Sequence, residues 1–459
     1  MTASEPRSFR TFFIIWLTQS VSMLGSSLTF FALTIWMTVT LYPLPEQKAE
    51  LAFALSAVGI AFGVPVVFAA PLAGAWADRH DRKRTMLVVD FLSAGLSLVL
   101  AALVLSGTLQ LWPVLVITAL FAILGAFHFA AFDTSYVMLV PAKHLPRANG
   151  MMQTTGSLAG IVAPAIAAAI IAVPAFARQG VLSLPALAGL QDGTPLVMLV
   201  DAATFLFAGL VLPFLNVPSP RRADLDDPHT DAPSFWSDVV FGGRYIWQRR
   251  PLLWLLGTFT LDNLLFAPAA VLAPLLLKFN LAPDWTARGM SYEAVLALVN
   301  SAGGIGGFVG GLMISTWGGL KTQRIYGVLV PVAICAVGTI VFGLTPFLYV
   351  AVAMVVVRSM MNPLMNSHSQ SIWQTQTPPE LQGRVFAVRR LIAQFSWPLG
   401  TAIAGFIGGI FDVGVFIALS GAMMLVFTLA QFFNPVLLLV EDKEWLDGLA
   451  ARTAPNVGS

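Results

Sequence analysis

The chain has 459 residues, 57% of them apolar and only 10% charged, where a soluble domain carries about 25% charged residues. No soluble core accommodates that much apolar surface, so the composition implies an integral membrane protein. A net charge of +2 gives no global attraction to nucleic acid. The lone Cys335 excludes an intrachain disulfide framework and lacks the ligand count for a structural zinc site.

From the N-terminus, a short polar stretch from Met1 to Arg10 precedes an apolar run too long for the core of a signal peptide, which reads as a retained first span. Cutting at charges, Pro/Gly clusters and polar breaks gives twelve runs of spanning length. They lie near 11–40, 50–75, 84–107, 111–140, 149–174, 195–216, 251–279, 291–316, 323–344, 347–376, 383–410 and 412–440. The runs are continuous and not alternating, as helices require. The expected fold is all-α and membrane-integral, with twelve transmembrane helices in two pseudo-symmetric six-helix bundles.

The longest polar stretch runs from Pro218 to Arg250 and is rich in Asp, with Asp224, Asp226, Asp227 and Asp231. It reads as a charged linker followed by an amphipathic surface segment from Phe235 to Trp247. The expected domains are a first bundle over 1–216, a cytoplasmic linker over 217–250, a second bundle over 251–440 and a cytoplasmic, disordered tail over 441–459. Twenty of the 25 Lys and Arg fall in the loops, helix ends and tails on the side of the N-terminus. Only Lys48, Arg178, Lys278 and Arg288 lie on the other side, and Arg358 sits within a span. That bias places both termini in the cytoplasm.

The halves repeat at an offset of 237 residues, which carries Gly74 to Gly311, Arg84 to Lys321, Pro141 to Pro378 and Ile14 to Pro251. Two parallel repeats point to alternating access about a midplane site between them. Glycines at close spacing, Gly303, Gly304, Gly306, Gly307, Gly310 and Gly311 in the eighth span and Gly156 and Gly160 in the fifth, permit close helix packing.

Ionisable groups within spans are costly and default to function. Asp90 and Asp201 lie six or seven residues from a span end and read as structural, whereas Asp262 and Arg358 lie near mid-bilayer. The first span carries a stripe of Gln19, Ser22, Ser26 and Thr29, and the tenth one of Arg358, Asn362, Asn366, Ser369 and Trp373. The seventh offers Asp262 and Asn263, and the fourth offers His128, Asp133 and Tyr136. A carboxylate out of water is costly, so Asp262 or Asp133 is the expected carrier of a coupling proton, with His128 a second candidate. Arg358 is expected to pair with Asp262 or with an anionic group of a substrate. Phe127, Phe129, Phe132, Phe266, Met360, Met361 and Met365 offer an adaptable apolar lining.

The loop after the second span reads Gly74-Ala-Trp-Ala-Asp78-Arg79-His80-Asp81-Arg82-Lys83-Arg84. It resembles the signature loop of the major facilitator superfamily at Gly74, Asp78, Arg79, Arg82 and Lys83, and departs from it at Asp81, where that pattern has Gly. Two further segments, Leu139-Val140-Pro141 through Gly150 and Gln370-Ser371-Ile372-Trp373-Gln374 through Ala387, resemble a bacterial permease branch with macrolide-efflux, drug-efflux and siderophore-export members. The resemblance implies that the first and fourth helices of each half line the cavity. It also implies that Asp78 faces the start of the eleventh helix near Gln382 and Gly383, with Gly74, Arg79, Arg82 and Lys83 completing a conformational latch. A carboxylate at a helix N-terminus gains about 0.3–1 kcal/mol from the macrodipole.

The expected activity is secondary active export of a hydrophobic or amphipathic small molecule by proton antiport, in a bacterial inner membrane. Protons and membrane lipids are the other expected partners, and the chain is expected to work as a monomer without a cofactor. Alternatives are an uptake permease for a small organic solute, a lysophospholipid flippase and a non-transporting sensor. An enzyme is not expected, since no G-x-x-x-x-G-K-[ST], G-x-S-x-G or H-E-x-x-H occurs.

Overall fold

The computed structural model of the chain describes residues 9–141, 144–181, 185–217 and 235–442, with Trp445 and Gly448. The Asp-rich part of the linker, Arg7, Lys143, Arg221, Arg222, Lys443, Arg452 and most of the 441–459 tail lie outside the described residues.

Twelve long helices carry the described chain. They are α1 (Phe9–Ile35), α2 (Lys48–Arg79), α3 (Arg82–Leu105), α4 (Leu111–Leu139), α5 (Leu145–Arg178) and α6 (Thr194–Val211), then α7 (Arg250–Val271), α8 (Tyr292–Trp317), α9 (Tyr326–Leu344), α10 (Leu348–Gln376), α11 (Pro379–Ile407) and α12 (Val413–Gln431). No strand occurs among the described residues. Eleven helical stretches are long and apolar enough to cross a membrane. The remaining helix, α11, carries Arg384, Arg389 and Arg390 in its first half and an apolar run after them.

Apolar continuity makes these helices, because lipid leaves every backbone polar group to be satisfied within the segment. Hydroxyls inside the spans follow the same rule: Thr18, Thr134 and Thr258 each bond the carbonyl four residues back. The first helix of each half ends in a wide turn. A π-helical turn over Trp36–Leu41 extends α1, and another over Leu276–Asn280 follows α7, where the sequence predicts uninterrupted helix to about 40 and 279. Such turns are rare and mark local rearrangement of the backbone ladder.

By internal contact the chain forms two compact units, Met1–Pro228 with Met290–Ser301, and His229–Gly289 with Ala302–Ser459. In the first, α1 packs on α5 and α6, α2 on α4, and α3 on α4 and α6. Its core gathers Phe12, Ile15, Met86, Phe132 and Leu212. In the second, α7 packs on α11 and α12, and α9 on α10 and α12, around Leu252, Leu255, Leu329, Ile372 and Trp373. Gly306 and Gly310 of α8 lie against the backbone of Val356 and Met360 in α10, so closely that a Cβ on either would overlap it. The amphipathic helix Phe235–Gln248 packs on α11 and α7, with the Tyr245 hydroxyl donating to the Gln376 carbonyl at 2.9 Å. Arg178 closes the connection after α5 by donating to the carbonyls of Leu190 and Gln191.

Candidate functional site

A cavity of about 570 Å³ lies within the first unit, walled by α1 to α6. The α1 stripe supplies polar wall: Gln19, Ser22, Ser26 and Thr29 all line it. Apolar wall comes from Trp16, Phe30, Phe62, Phe121, Phe129 and Phe132, with Met23 and Met152. Phe127 points elsewhere, its ring edge-on to Trp76.

Two buried acids face this cavity, and their settings differ. Asp201 of α6 is 1% exposed. Its Oδ2 accepts from the hydroxyls of Ser97 at 2.8 Å and Thr29 at 2.9 Å, and its Oδ1 accepts from Ser26 at 3.5 Å. Gly25 permits this approach, since a Cβ there would overlap the Thr204 hydroxyl and come within 2.8 Å of Asp201 Oδ1. The donors tie α6 to α1 and α3.

Asp90 of α3 is fully buried. Its Oδ2 accepts a long hydrogen bond from Gln19 Nε2 at 3.3 Å. Its Oδ1 lies 3.3 Å from His128 Nε2 on α4. Neither of those two atoms has a hydrogen bond among the described residues. The approach is close enough for an ion pair but misaligned for a hydrogen bond.

Gln19 and His128 are thus brought together, around an acid that reads as structural in the sequence. Depth along the helix does not report these contacts. A usable signal is present: Asp90, Ser93 and Ser97 fall at steps of three and four and make a polar stripe on α3, and Asp90 and Ser93 both line the cavity.

Asp133 is exposed, close enough to Tyr136 to act on it electrostatically. The buried setting expected of Asp133 as a proton carrier is therefore absent, because α4 turns it away from the packed face that holds Ala131, Phe132 and Ser135.

In the second unit Asp262 of α7 is buried and interacts by charge with Arg358 of α10. To this charge interaction the guanidinium adds stacking. The Arg358 guanidinium lies over the Phe266 ring at 3.9 Å, and its Nε and Nη1 have no hydrogen-bond partner among the described residues. Asn263 donates to the Ala393 carbonyl at 3.0 Å and so ties α7 to α11. The α10 stripe does not face one environment. Asn362 and Asn366 are exposed and bond each other at 3.0 Å, whereas Ser369 and Trp373 are fully buried. Met361 and Met365 are core residues.

The loop between α2 and α3 holds its own unit together. Arg82 donates through Nε to the Ala77 carbonyl at 3.1 Å and through Nη1 to the Thr134 carbonyl at 3.4 Å and to Met138. Lys83 Nζ donates to the carbonyls of Pro213 and Leu215, both at 2.8 Å. Asp81 caps α3, its Oδ1 accepting from the Arg84 N–H at 3.0 Å. Asp78 and Arg79 are exposed, and Asp78 reaches Arg82 only at 4.0 Å. A Cβ added to Gly74 would meet nothing within 4 Å.

Among the described residues no cluster of His, Cys, Asp and Glu is arranged to hold a metal ion.

The sequence profile of the Major Facilitator Superfamily matches residues 15–401. Macrolide efflux protein A of Streptococcus pyogenes is 24% identical over 420 residues, covering 90% of this chain and 93% of that protein. Multidrug efflux pump Tap of Mycolicibacterium fortuitum is 26% identical over 405 residues, covering 86% and 91%. In fold, the chain resembles the inward-facing crystal structure of a bacterial homolog of the human lysosomal transporter Spinster, with a TM-score of 0.58 at 15% identity and 98% of both chains covered. It also resembles the nucleoside transporter NupG, with a TM-score of 0.61 at 14% identity, covering 90% of this chain and 98% of that one. The chain belongs to the Major Facilitator Superfamily and is a multi-pass membrane transporter, not an enzyme.

Proposed function

We propose that this chain exports a hydrophobic or amphipathic small molecule, a drug-like compound or a secondary metabolite, by proton antiport and alternating access. The observation that carries this reading is the first-unit cavity of about 570 Å³, aromatic and Met-walled with a few short polar side chains. Drug-sized ligands occupy sites of roughly 300–1,000 Å³ with this composition. Met and aromatic walls repack around ligands of different shape. The two efflux relatives support the direction of transport.

In this reading the chain sits in a bacterial plasma membrane with both termini in the cytoplasm, a placement that the Lys and Arg distribution supports. Gln19 and His128 serve the cavity of the first unit. Asp262, Arg358, Asn263, Asn362 and Asn366 are candidates for substrate or proton contacts in the second, while the exposed Asp133 is a weaker one. Arg82 and Lys83 stiffen one end of the first unit, which leaves the exposed Asp78 and Arg79 available for contacts that change during transport. Gly74 adds backbone freedom beside them.

Accumulation of a macrolide and of ethidium in a drug-sensitive bacterium expressing the chain tests the reading. Export lowers accumulation in energised cells, and a proton uncoupler restores it. Raised accumulation would establish uptake instead, and accumulation indifferent to the uncoupler would remove proton antiport.

A further inference from the structure

We infer that Asp90 and His128 form the proton-exchange pair of the first unit, with Gln19 as the residue that positions the carboxylate. This rests on the export reading above and names the groups within it that load and release the proton.

The geometry separates Asp90 from the other acid in the cavity. Three hydroxyls converge on Asp201 from α1 and α3. Ser97 and Thr29 hold its Oδ2 with short bonds, while Ser26, whose single hydrogen can also go to the Ser22 carbonyl at 3.3 Å, is the weakest of the three. Asp90 is held by one long bond from Gln19. Its Oδ1 faces His128 Nε2 at 3.3 Å, and neither atom is otherwise bonded among the described residues.

Two acceptors facing each other out of water are unfavourable, and one proton between them turns the contact into a charge-assisted hydrogen bond. With His128 carrying its hydrogen on Nδ1, the pair takes up one proton from water entering the cavity, onto Nε2 or onto the carboxyl. It returns that proton to water when the two side chains part, and nothing else is transferred. Gly209 of α6 packs beside Asp90, where a methyl group would come within 3.3 Å of its Cβ. The imidazole is partly exposed whereas the Asp90 side chain is fully buried, so the motion is assigned to the imidazole.

The environment adds few competing charges. Of the residues lining the cavity from α1 to α6, the acidic and imidazole side chains are Asp90, His128 and Asp201. The α1 wall contributes the Gln19 amide and hydroxyls, α2 contributes Phe62, and α5 contributes Met152, Thr155 and Gly156.

The test uses the full chain in proteoliposomes with ethidium as probe, comparing transport driven by an imposed pH gradient with ethidium exchange at equal pH on both sides. Asp90→Asn and His128→Gln are each expected to lower gradient-driven transport by roughly tenfold or more. Any exchange that remains should no longer vary with pH. Asp90→Glu should restore gradient drive with a displaced pH profile, and Gln19→Ala should displace the profile without abolishing drive. A structural role would not flatten a pH profile, so a wild-type profile in the residual exchange of either variant overturns the pair, as does full gradient drive.

If the wild type moves no ethidium, the export reading fails, and the pair is judged by titration of purified protein in unbuffered detergent. There the wild type should bind about one proton per chain more than the double variant Asp90→Asn/His128→Gln between pH 8 and pH 4, and Asp90→Asn should take that proton up at lower pH than the wild type. Equal titration curves sink the inference.

Discussion

The backbone N–H of Leu320 donates to Nε2 of His368 at 2.8 Å. His368 Nδ1 lies 2.8 Å from the Leu364 carbonyl, so the network assigns the neutral tautomer with its hydrogen on Nδ1. The side chain is 3% exposed and packs into the turn between α8 and α9, whose glycines make room for it. Gly319 has a positive φ of 74° and would bring a Cβ within 2.9 Å of Nε2, and a Cβ on Gly327 would overlap the ring. At the offset of 237 residues this turn is the counterpart of the α2–α3 loop, but Ser315 and Thr316 stand where Asp78 and Arg79 stand. A buried imidazole fastens the second turn, where a guanidinium and an ammonium fasten the first. Gly327→Ala is expected to destabilise the purified protein by about 1–3 kcal/mol through overpacking. His368→Leu, which leaves the Leu320 N–H without its acceptor, should cost a similar amount. Thermal unfolding in detergent measures both, and the double variant Gly327→Ala/His368→Ala should cost less than the sum of its single changes. Additive costs would show that the two positions do not share this contact.

In the α2–α3 loop, Asp81 departs from the superfamily pattern while gaining a role of its own. Its carboxylate caps α3 through the Arg84 N–H, and its backbone φ of −64° is one any residue adopts. Asp81→Ala should therefore cost about 1 kcal/mol, while Asp81→Gly, which matches the pattern, should cost only a few tenths. Arg82→Lys is expected to cost more than either, because one ammonium cannot serve Ala77, Thr134 and Met138 together as the guanidinium does. Melting curves of the three variants give the order, and Asp81→Gly proving the most damaging would refute the capping role.

The fold is legible because its signal is long and redundant. Each apolar run exceeds the length a bilayer demands, and eleven helical stretches pass that measure again in the structure. Legibility fails where geometry depends on neighbours. The four residues of the α1 stripe share one helix face, and in the structure they line the cavity within the first unit. Asp90 reads as structural because its distance from a span end says nothing of His128, which reaches it from another helix. The sequence pairs Arg358 with Asp262, with which it interacts by charge, but gives no sign that the guanidinium also stacks on Phe266, one turn along the same helix. Nor can helical spacing show that Asn362 and Asn366 bond each other rather than a partner across the helix face.

The Asp201 cluster makes a prediction about stability. Its carboxylate binds hydroxyls of α1 and α3 to α6, and hydrogen bonds to a charged group are worth about 1.5–3 kcal/mol each. Asp201→Ala is expected to destabilise the protein by about 2–4 kcal/mol, against about 1 kcal/mol for Ser97→Ala. Gly25→Ala should resemble Asp201→Ala, because the added methyl would displace both Thr204 and Asp201. Unfolding midpoints by differential scanning fluorimetry test the series. A Gly25→Ala protein as stable as the wild type would mean that α1 does not approach α6 this closely.

Acid sensitivity should appear outside the spans, at the turn between α7 and α8. Asp284 accepts from Arg288 Nε at 3.0 Å and Nη2 at 2.9 Å, and from the N–H of Leu348, the first residue of α10, at 2.9 Å. The Arg288 bonds first, and the Leu348 bond second, hold its carboxyl below the ordinary carboxylate range. A folded-state value below the unfolded one, about 3.9, means that the charged form is favoured by folding. The stabilisation is then complete above the unfolded value and is lost as pH falls through the folded one. Wild type and Asp284→Asn should accordingly differ by a constant margin in melting temperature from pH 8 to about pH 5 and converge below about pH 4. Arg288→Gln should show the same convergence from the other side of the contact, with some added loss from its stacking on Tyr349 at 4.7 Å. A gap that widens on acidification would contradict the sign of the linkage and, with it, the assignment of Asp284 as an ionised acceptor at the start of α10.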